Sequence, residues 1–210
     1  MAVRCQSVGA VLQPQGADMG SKRETRGFTL VELMVVLIIV AIVLTFAVPS
    51  YRTLILNRRI NGLTDNLFNS LSYARNLALS NDEPVTVCPY SAPGSTACGS
   101  NWSAGWIVVK QPPQGASAVL NTTVLGAGGP TLKATAYGGS TSISTITFNG
   151  RGLLNTSQQV LLTACDSRGA AQARSILVYS TGSMQTSNQS NQTSNQPRVA
   201  ADGTTPLSCP

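Results

Sequence analysis

From Phe28 to Val48 the chain reads FTLVELMVVLIIVAIVLTFAV, 21 residues interrupted only by Thr29, Glu32 and Thr45. As a helix rising 1.5 Å per residue this run is about 32 Å long, enough to cross a hydrocarbon core of about 30 Å. The segment is therefore predicted to enter a membrane, at least transiently. Lys22, Arg23 and Arg26 stand just before it, which sets the N-terminus on the cytoplasmic side and the C-terminal bulk outside. Two features oppose an ordinary secretory signal cut after Thr45-Phe46-Ala47. The apolar run is longer than the roughly 7 to 15 residues of such signals, and a carboxylate, Glu32, is its fifth residue. A lone acid in hydrocarbon costs a few kcal/mol and calls for a partner, so a permanent single-span anchor leaves it equally unexplained.

Composition narrows the function classes. Histidine is absent from all 210 residues, so Ser-His-Asp and Cys-His catalysis and imidazole metal sites are excluded. Charged residues make up only 10%, well under the roughly 25% of an average soluble domain. With Gly, Ser, Thr, Asn and Gln abundant, that suits an extracellular β-rich protein. The net charge of +6 permits attraction to acidic surfaces or nucleic acid without implying it. Asp82 and Glu83 are adjacent acids at a helix end, not facing walls of a cleft. The Gly126 to Pro130 run lacks the Lys-Ser/Thr and following helix of a phosphate loop. No enzyme, cofactor or metal site is expected.

Lys22 to Gly27 followed by Phe28-Thr29-Leu30-Val31-Glu32 resembles the type III signal of type IV pilins and pseudopilins. The resemblance implies cleavage by prepilin peptidase between Gly27 and Phe28, N-methylation of Phe28, and retention of the apolar helix in the mature chain. It also gives Glu32 a role in subunit assembly, meeting the N-terminal amine of a neighbouring pilin; such a buried ion pair sets register more than it adds net stability. Residues 1–27 are then the leader, and Met19 offers a second start that would give a leader of nine residues. The mature chain would keep 10 Lys and Arg and 6 acids, net +4, once Arg4, Lys22, Arg23, Arg26, Asp18 and Glu24 are removed.

Residues 28–50 are the expected membrane and filament-core helix, and 51–210 the periplasmic or extracellular globular part. The helix continues to Ser80, kinked near Pro49, which has no N–H to give. Leu56, Ile60, Leu63, Leu67, Leu71, Ala74 and Ala78 form an apolar stripe at helical period. Beyond Pro84 short strands are expected at Val85 to Cys88, Gly105 to Lys110, Ala118 to Leu125, Ser142 to Phe148, Val160 to Cys165 and Arg174 to Ser180. No helix separates them, so the pairing should be antiparallel, and the fold α+β with one spine helix on a sheet. Residues 180–196, STGSMQTSNQSNQTSNQ, are uncharged and read as a flexible loop.

Four cysteines remain at 88, 98, 165 and 209. Without C-x-x-C or histidine they suggest disulfides in an exported chain. Three pairings are possible; Cys88 with Cys98 and Cys165 with Cys209 is favoured, since the first closes a Pro/Gly/Ser loop and the second pins the C-terminus.

Cys98 to Val109, with Trp102 and Trp106 across Gly105, resembles the W-x-x-G-W block of the FimT/FimU minor pilins and the related pseudopilin H of type II secretion. FimT proteins that take up DNA carry a G-R-x-R motif near the C-terminus; here Gly182-Ser183-Met184-Gln185 aligns with it, and both arginines are missing. Each loss removes one phosphate contact. Arg151, Arg168 and Arg174 could form a substitute DNA patch or be scattered solvated side chains. The resemblance implies a minor pilin of the type IV pilus tip or priming complex, with other pilins, the peptidase and the inner membrane as partners and the cell-surface pilus as its destination. The alternatives are a DNA receptor for natural transformation and a type II secretion pseudopilin.

Overall fold

The computed structural model describes residues 27–111, 115–187, 199–200 and 205–209. The chain divides into two units, Met1–Phe46 and Ala47–Pro210, and one helix, α1 (Leu30–Asn81), passes through both. In the first unit every described residue is exposed. Thr29 begins the helix: its carbonyl accepts from Leu33 N at 3.1 Å and its Oγ1 from Glu32 N at 3.2 Å. Thr29-Leu30-Val31-Glu32 thus has the spacing of a capping box, and Glu32 places a carboxylate where the helix dipole favours one. The best 18-residue window of α1 has a mean hydropathy of 3.0.

In the second unit α1 buries Ile60, Leu63, Leu67, Leu71, Ala74 and Ala78, most of the expected stripe. Leu56 is only half-buried, while Arg58, Arg59, Asp65 and Asn69 stay in solvent. Pro49 lies inside the helix; being without an N–H, it leaves one carbonyl of the preceding turn without its usual donor. The helix ends where Asp82 takes a positive φ of 50°, the left-handed conformation that commonly closes a helix.

The strands form two antiparallel sheets. The first has the order β3 (Ala118–Val124), β2 (Gly105–Lys110), β1 (Val85–Pro89), β5 (Ile146–Phe148). The second runs β4 (Thr131–Ala136), β6 (Val160–Cys165), β7 (Arg174–Val178), β8 (Met184–Thr186). Side chains alternate across each sheet. Val85, Val87, Trp106, Val108, Ile146 and Phe148 from the first, and Leu132, Ala134, Val160, Leu162, Ile176 and Val178 from the second, meet the α1 stripe in one core. The outer faces carry smaller clusters, Cys88, Ile107 and Val109 on one and Leu161, Cys165, Ala173, Leu177, Ala200 and Leu207 on the other. Strands β1, β2, β6 and β7 are therefore covered on both sides, which is why they read as near-continuous apolar runs.

Two strands fall outside the sequence expectation. In β4 the core face is Leu132, Ala134 and Ala136, so the alternation is carried by alanines and does not stand out as apolar. The expected loop 180–196 starts instead with a turn and a strand: β8 pairs with β7 along Ile176↔Thr186, Leu177↔Gln185 and Val178↔Met184. The sheet edge needs only backbone groups from β8, and Met184 alone packs on the core. Residues 188–196 of that tract lie outside the described residues. The expected strand Ser142 to Phe148 is shortened to Ile146–Phe148, although Ser142 makes a single bridge to Thr135.

Candidate functional sites

Gly27 and Phe28, the expected processing junction, precede α1 and are exposed, Phe28 at 81%. The peptide between them is open to an enzyme. Leu30 to Phe46 surrounds its axis with Leu, Val, Ile, Met and Phe side chains that are exposed, with no cover among the described residues. Glu32 is the one charge among them.

The three arginines are not brought together. Arg174 is 6% exposed on the α1-facing side of β7; its Nε donates to Asn61 Oδ1 at 2.9 Å and its Nη1 to Ala173 O at 3.4 Å. Arg168 is held by Asp166, with Nε to Oδ2 at 3.0 Å, and reaches Asn57 Oδ1 at 2.8 Å. Arg151 sits on an exposed turn whose neighbours Gly150 and Gly152 lie against Asp82 and Leu79. Between Asn57 and Leu79 the helix climbs about 33 Å. Arg168 and Arg151 are thus attached near opposite ends of this part of α1. A buried arginine, a neutralised one and a distant one without an ion pair among the described residues make no phosphate-binding stripe.

The aligned G-R-x-R position is itself well built. Gly182 lies in the β7–β8 turn at φ 75°, where a Cβ would come 1.9 Å from Gly152 O and 2.8 Å from Arg75 Nε. Arg75 donates from Nε to Gly152 O at 3.1 Å and from Nη2 to Thr181 O at 3.4 Å, tying the turn to α1. Ser183 and Gln185, standing in the two arginine positions, are exposed. Sequence reasoning missed Arg75, and its place in the stripe's register, four residues after Leu71, gave the only signal.

The tryptophans divide the labour within their block. Trp102, in a 3-10 turn before β2, donates from Nε1 to Ile143 O at 2.6 Å, and Ser103 Oγ of the same turn accepts from Leu132 N at 3.0 Å, joining the two sheets. Trp106 fills the helix-facing core at 1% exposure, and its Nε1 meets no acceptor among the described residues. Gly105 permits the turn: at φ 118° its position leaves only 2.0 Å between a Cβ and Thr123 O. Disulfides join Cys88 to Cys98 and Cys165 to Cys209. Among the described residues no group of histidines, cysteines and acids could hold a metal ion.

A family model described as type II transport protein GspH matches residues 63–182, and one described as the prokaryotic N-terminal methylation motif matches residues 22–48. Two crystal structures of the type IV minor pilin FimU from Pseudomonas aeruginosa PAO1 are similar to the chain. One is 17% identical, covers 68% of this chain and 94% of its own, and has a TM-score of 0.49. The other is 18% identical, covers 65% and 95%, and has a TM-score of 0.45. No curated protein matches the chain. With more than half its length matched by the first model and its apolar helix by the second, the chain belongs to the GspH family of minor pilins and pseudopilins.

Proposed function

We propose that prepilin peptidase cuts this chain after Gly27, that Phe28 is then N-methylated, and that the product enters a type IV pilus as a minor pilin of the tip or priming complex. The observation that carries this reading is the uncovered stretch Leu30 to Phe46, apolar all round with one acid at Glu32. Such a helix requires lipid before assembly and other apolar helices after it. Residues 28–50 would serve the inner membrane and then the filament core, with the N-terminus on the cytoplasmic side, and 51–210 would be the exported part. Deleting the gene should lower the number of surface pili while protein secretion continues. Normal piliation in the deletion strain would count against the proposal.

The description of the matching family model favours a second reading, a type II secretion pseudopilin. There the same deletion stops secretion of exoproteins and spares the pili. DNA uptake draws little support from the dispersed arginines. Ser183 and Gln185 provide a positive control: Ser183→Arg with Gln185→Arg should create salt-sensitive DNA binding in a gel shift where the parent chain shows none, each new phosphate contact adding about 0.9 to the salt slope.

A further inference from the structure

Between α1 and the edge of the second sheet lies a polar cavity of about 270 Å³ bounded by Asn61, Thr64 and Asp65 on one side and Arg174, Thr186 and Ser187 on the other. Its two walls have opposite character. On the sheet side Arg174 is buried, and of its five N–H donors the described residues engage Nε and one on Nη1. Ser187 Oγ accepts from Ser175 N at 3.0 Å, which leaves its own hydrogen to donate. On the helix side Asn61 Oδ1 is an acceptor, Thr64 has committed its hydroxyl hydrogen to Ile60 O at 2.8 Å and can only accept, and Asp65, one turn beyond Asn61, is a carboxylate. No ion pair joins Asp65 to Arg174 among the described residues, so a cation and an anion face one space without neutralising each other.

A buried guanidinium is costly unless an acceptor of opposite charge reaches it. Here Asn61 fixes the Nε edge, which presents the Nη edge in a set orientation, suited to a two-pronged carboxylate. A simple anion entering the cavity would meet Asp65, and a simple cation would meet Arg174. We propose that this cavity binds a small zwitterion of the α-amino acid class, its carboxylate on Arg174 and Ser187 and its ammonium on Asp65 and Thr64. The volume is several times the roughly 30 Å³ share of a water molecule, enough for a compact amino acid.

Calorimetric titration of the full chain in detergent micelles tests the site, with glycine and L-alanine as probes and acetate and methylammonium as their separate halves. Glycine should bind with a dissociation constant in the millimolar range, and each half about tenfold more weakly or not at all. Asp65→Asn changes an exposed side chain and leaves the core intact; it should weaken glycine about tenfold and leave acetate unchanged or tighter. Arg174→Lys should abolish binding of both. If that variant fails to fold, Asp65→Asn alone decides. Absence of glycine or alanine binding up to about 10 mM in folded protein overturns the proposal. So does equal affinity for acetate and glycine, or an Asp65→Asn variant that binds glycine like the parent.

Discussion

The two sheets solve one problem in two ways. Each offers one face to α1, and each has apolar side chains on the opposite face that need a separate cover. On the first sheet the cover is local: Cys88 at the end of β1 is joined to Cys98, 10 residues on, and Tyr90 and Val119 pack beside Ile107 and Val109. On the second sheet it comes from far along the chain: Cys165 at the end of β6 holds Cys209, 44 residues later, and Ala200 and Leu207 lie on Leu161 and Leu177. A short covalent loop restrains few conformations, whereas the long one holds down a segment whose backbone pairing among the described residues, the bridge from Val199 to Pro206, is internal to the segment and does not tie it to the sheet. The second sheet therefore depends more on its disulfide than the first.

The largest expected effect follows from this. Loop-closure entropy assigns about 4 kcal/mol to the Cys165–Cys209 bond and about 3 kcal/mol to Cys88–Cys98. Replacing Cys165 and Cys209 by serine should lower the denaturant midpoint of the full chain more than the same change at Cys88 and Cys98. The variant without the Cys165–Cys209 bond should also admit protease at the C-terminus. If the Cys88–Cys98 variant is the weaker protein, the contrast drawn between the sheets is wrong.

The same contrast explains what could be read from the sequence. Strands β1, β2, β6 and β7 lie between α1 and a second apolar layer, so runs such as Trp106-Ile107-Val108-Val109 and Val160-Leu161-Leu162 announce themselves. The helix stripe did so by its period. Strands at the margins of the second sheet did not: β4 packs alanines where a reader looks for large residues, and β8 is set in place by β7's backbone, within a tract whose polarity suggests a loop. At the sites, the apolar helix and its acid were visible because lipid imposes a strong pattern. The fate of Arg174 and Arg168 was not, since Asn61 and Asn57 reach them only through the fold, 113 and 111 residues away in sequence.

Glycines at the two sheets' turns give the next effect. Gly105 opens β2 of the first sheet and Gly182 precedes β8 of the second; both have positive φ, and at both a Cβ would overlap a backbone oxygen. Gly105→Ala and Gly182→Ala should each cost about 2 to 3 kcal/mol, combining left-handed strain with displacement of Thr123 or Gly152. Gly138→Ala is the control, since its φ of 72° carries strain but its Cβ would point into open space; about 1 kcal/mol is expected. Thermal melts of the three variants check the ranking, and a control as damaging as the others would break it.

A smaller effect separates the tryptophans. Trp102→Phe removes the donor to Ile143 O and weakens the tie between the sheets, whereas Trp106→Phe removes a buried N–H that has no acceptor among the described residues. Leaving a buried polar group unpaired costs about 1 to 3 kcal/mol, so losing one repays part of the packing lost with the larger ring. Trp102→Phe should therefore be the more destabilising by about 1 kcal/mol, a gap that equilibrium unfolding resolves.

The smallest effect, at Lys110, comes from comparing two ion pairs among the described residues, one beside each sheet. Lys110 Nζ stands 2.6 Å from a Glu83 carboxylate oxygen on the first sheet, with the side chains 31% and 26% exposed. Arg168 pairs with Asp166 on the second, where the acid is only 4% exposed and the guanidinium also reaches Asn57. Arg168→Ala should cost about 1 to 2 kcal/mol, because Asp166 would be left buried without its partner. Lys110→Ala should cost about 0.5 kcal/mol, as water and salt already screen that pair. Raising the salt concentration from about 0.05 to about 0.5 M should erase most of the Lys110 effect and little of the Arg168 effect. Equal salt sensitivity at the two sites would mean that Asp166 is solvated in solution, and that the second sheet's loop is less closely packed than its hydrogen bonds describe.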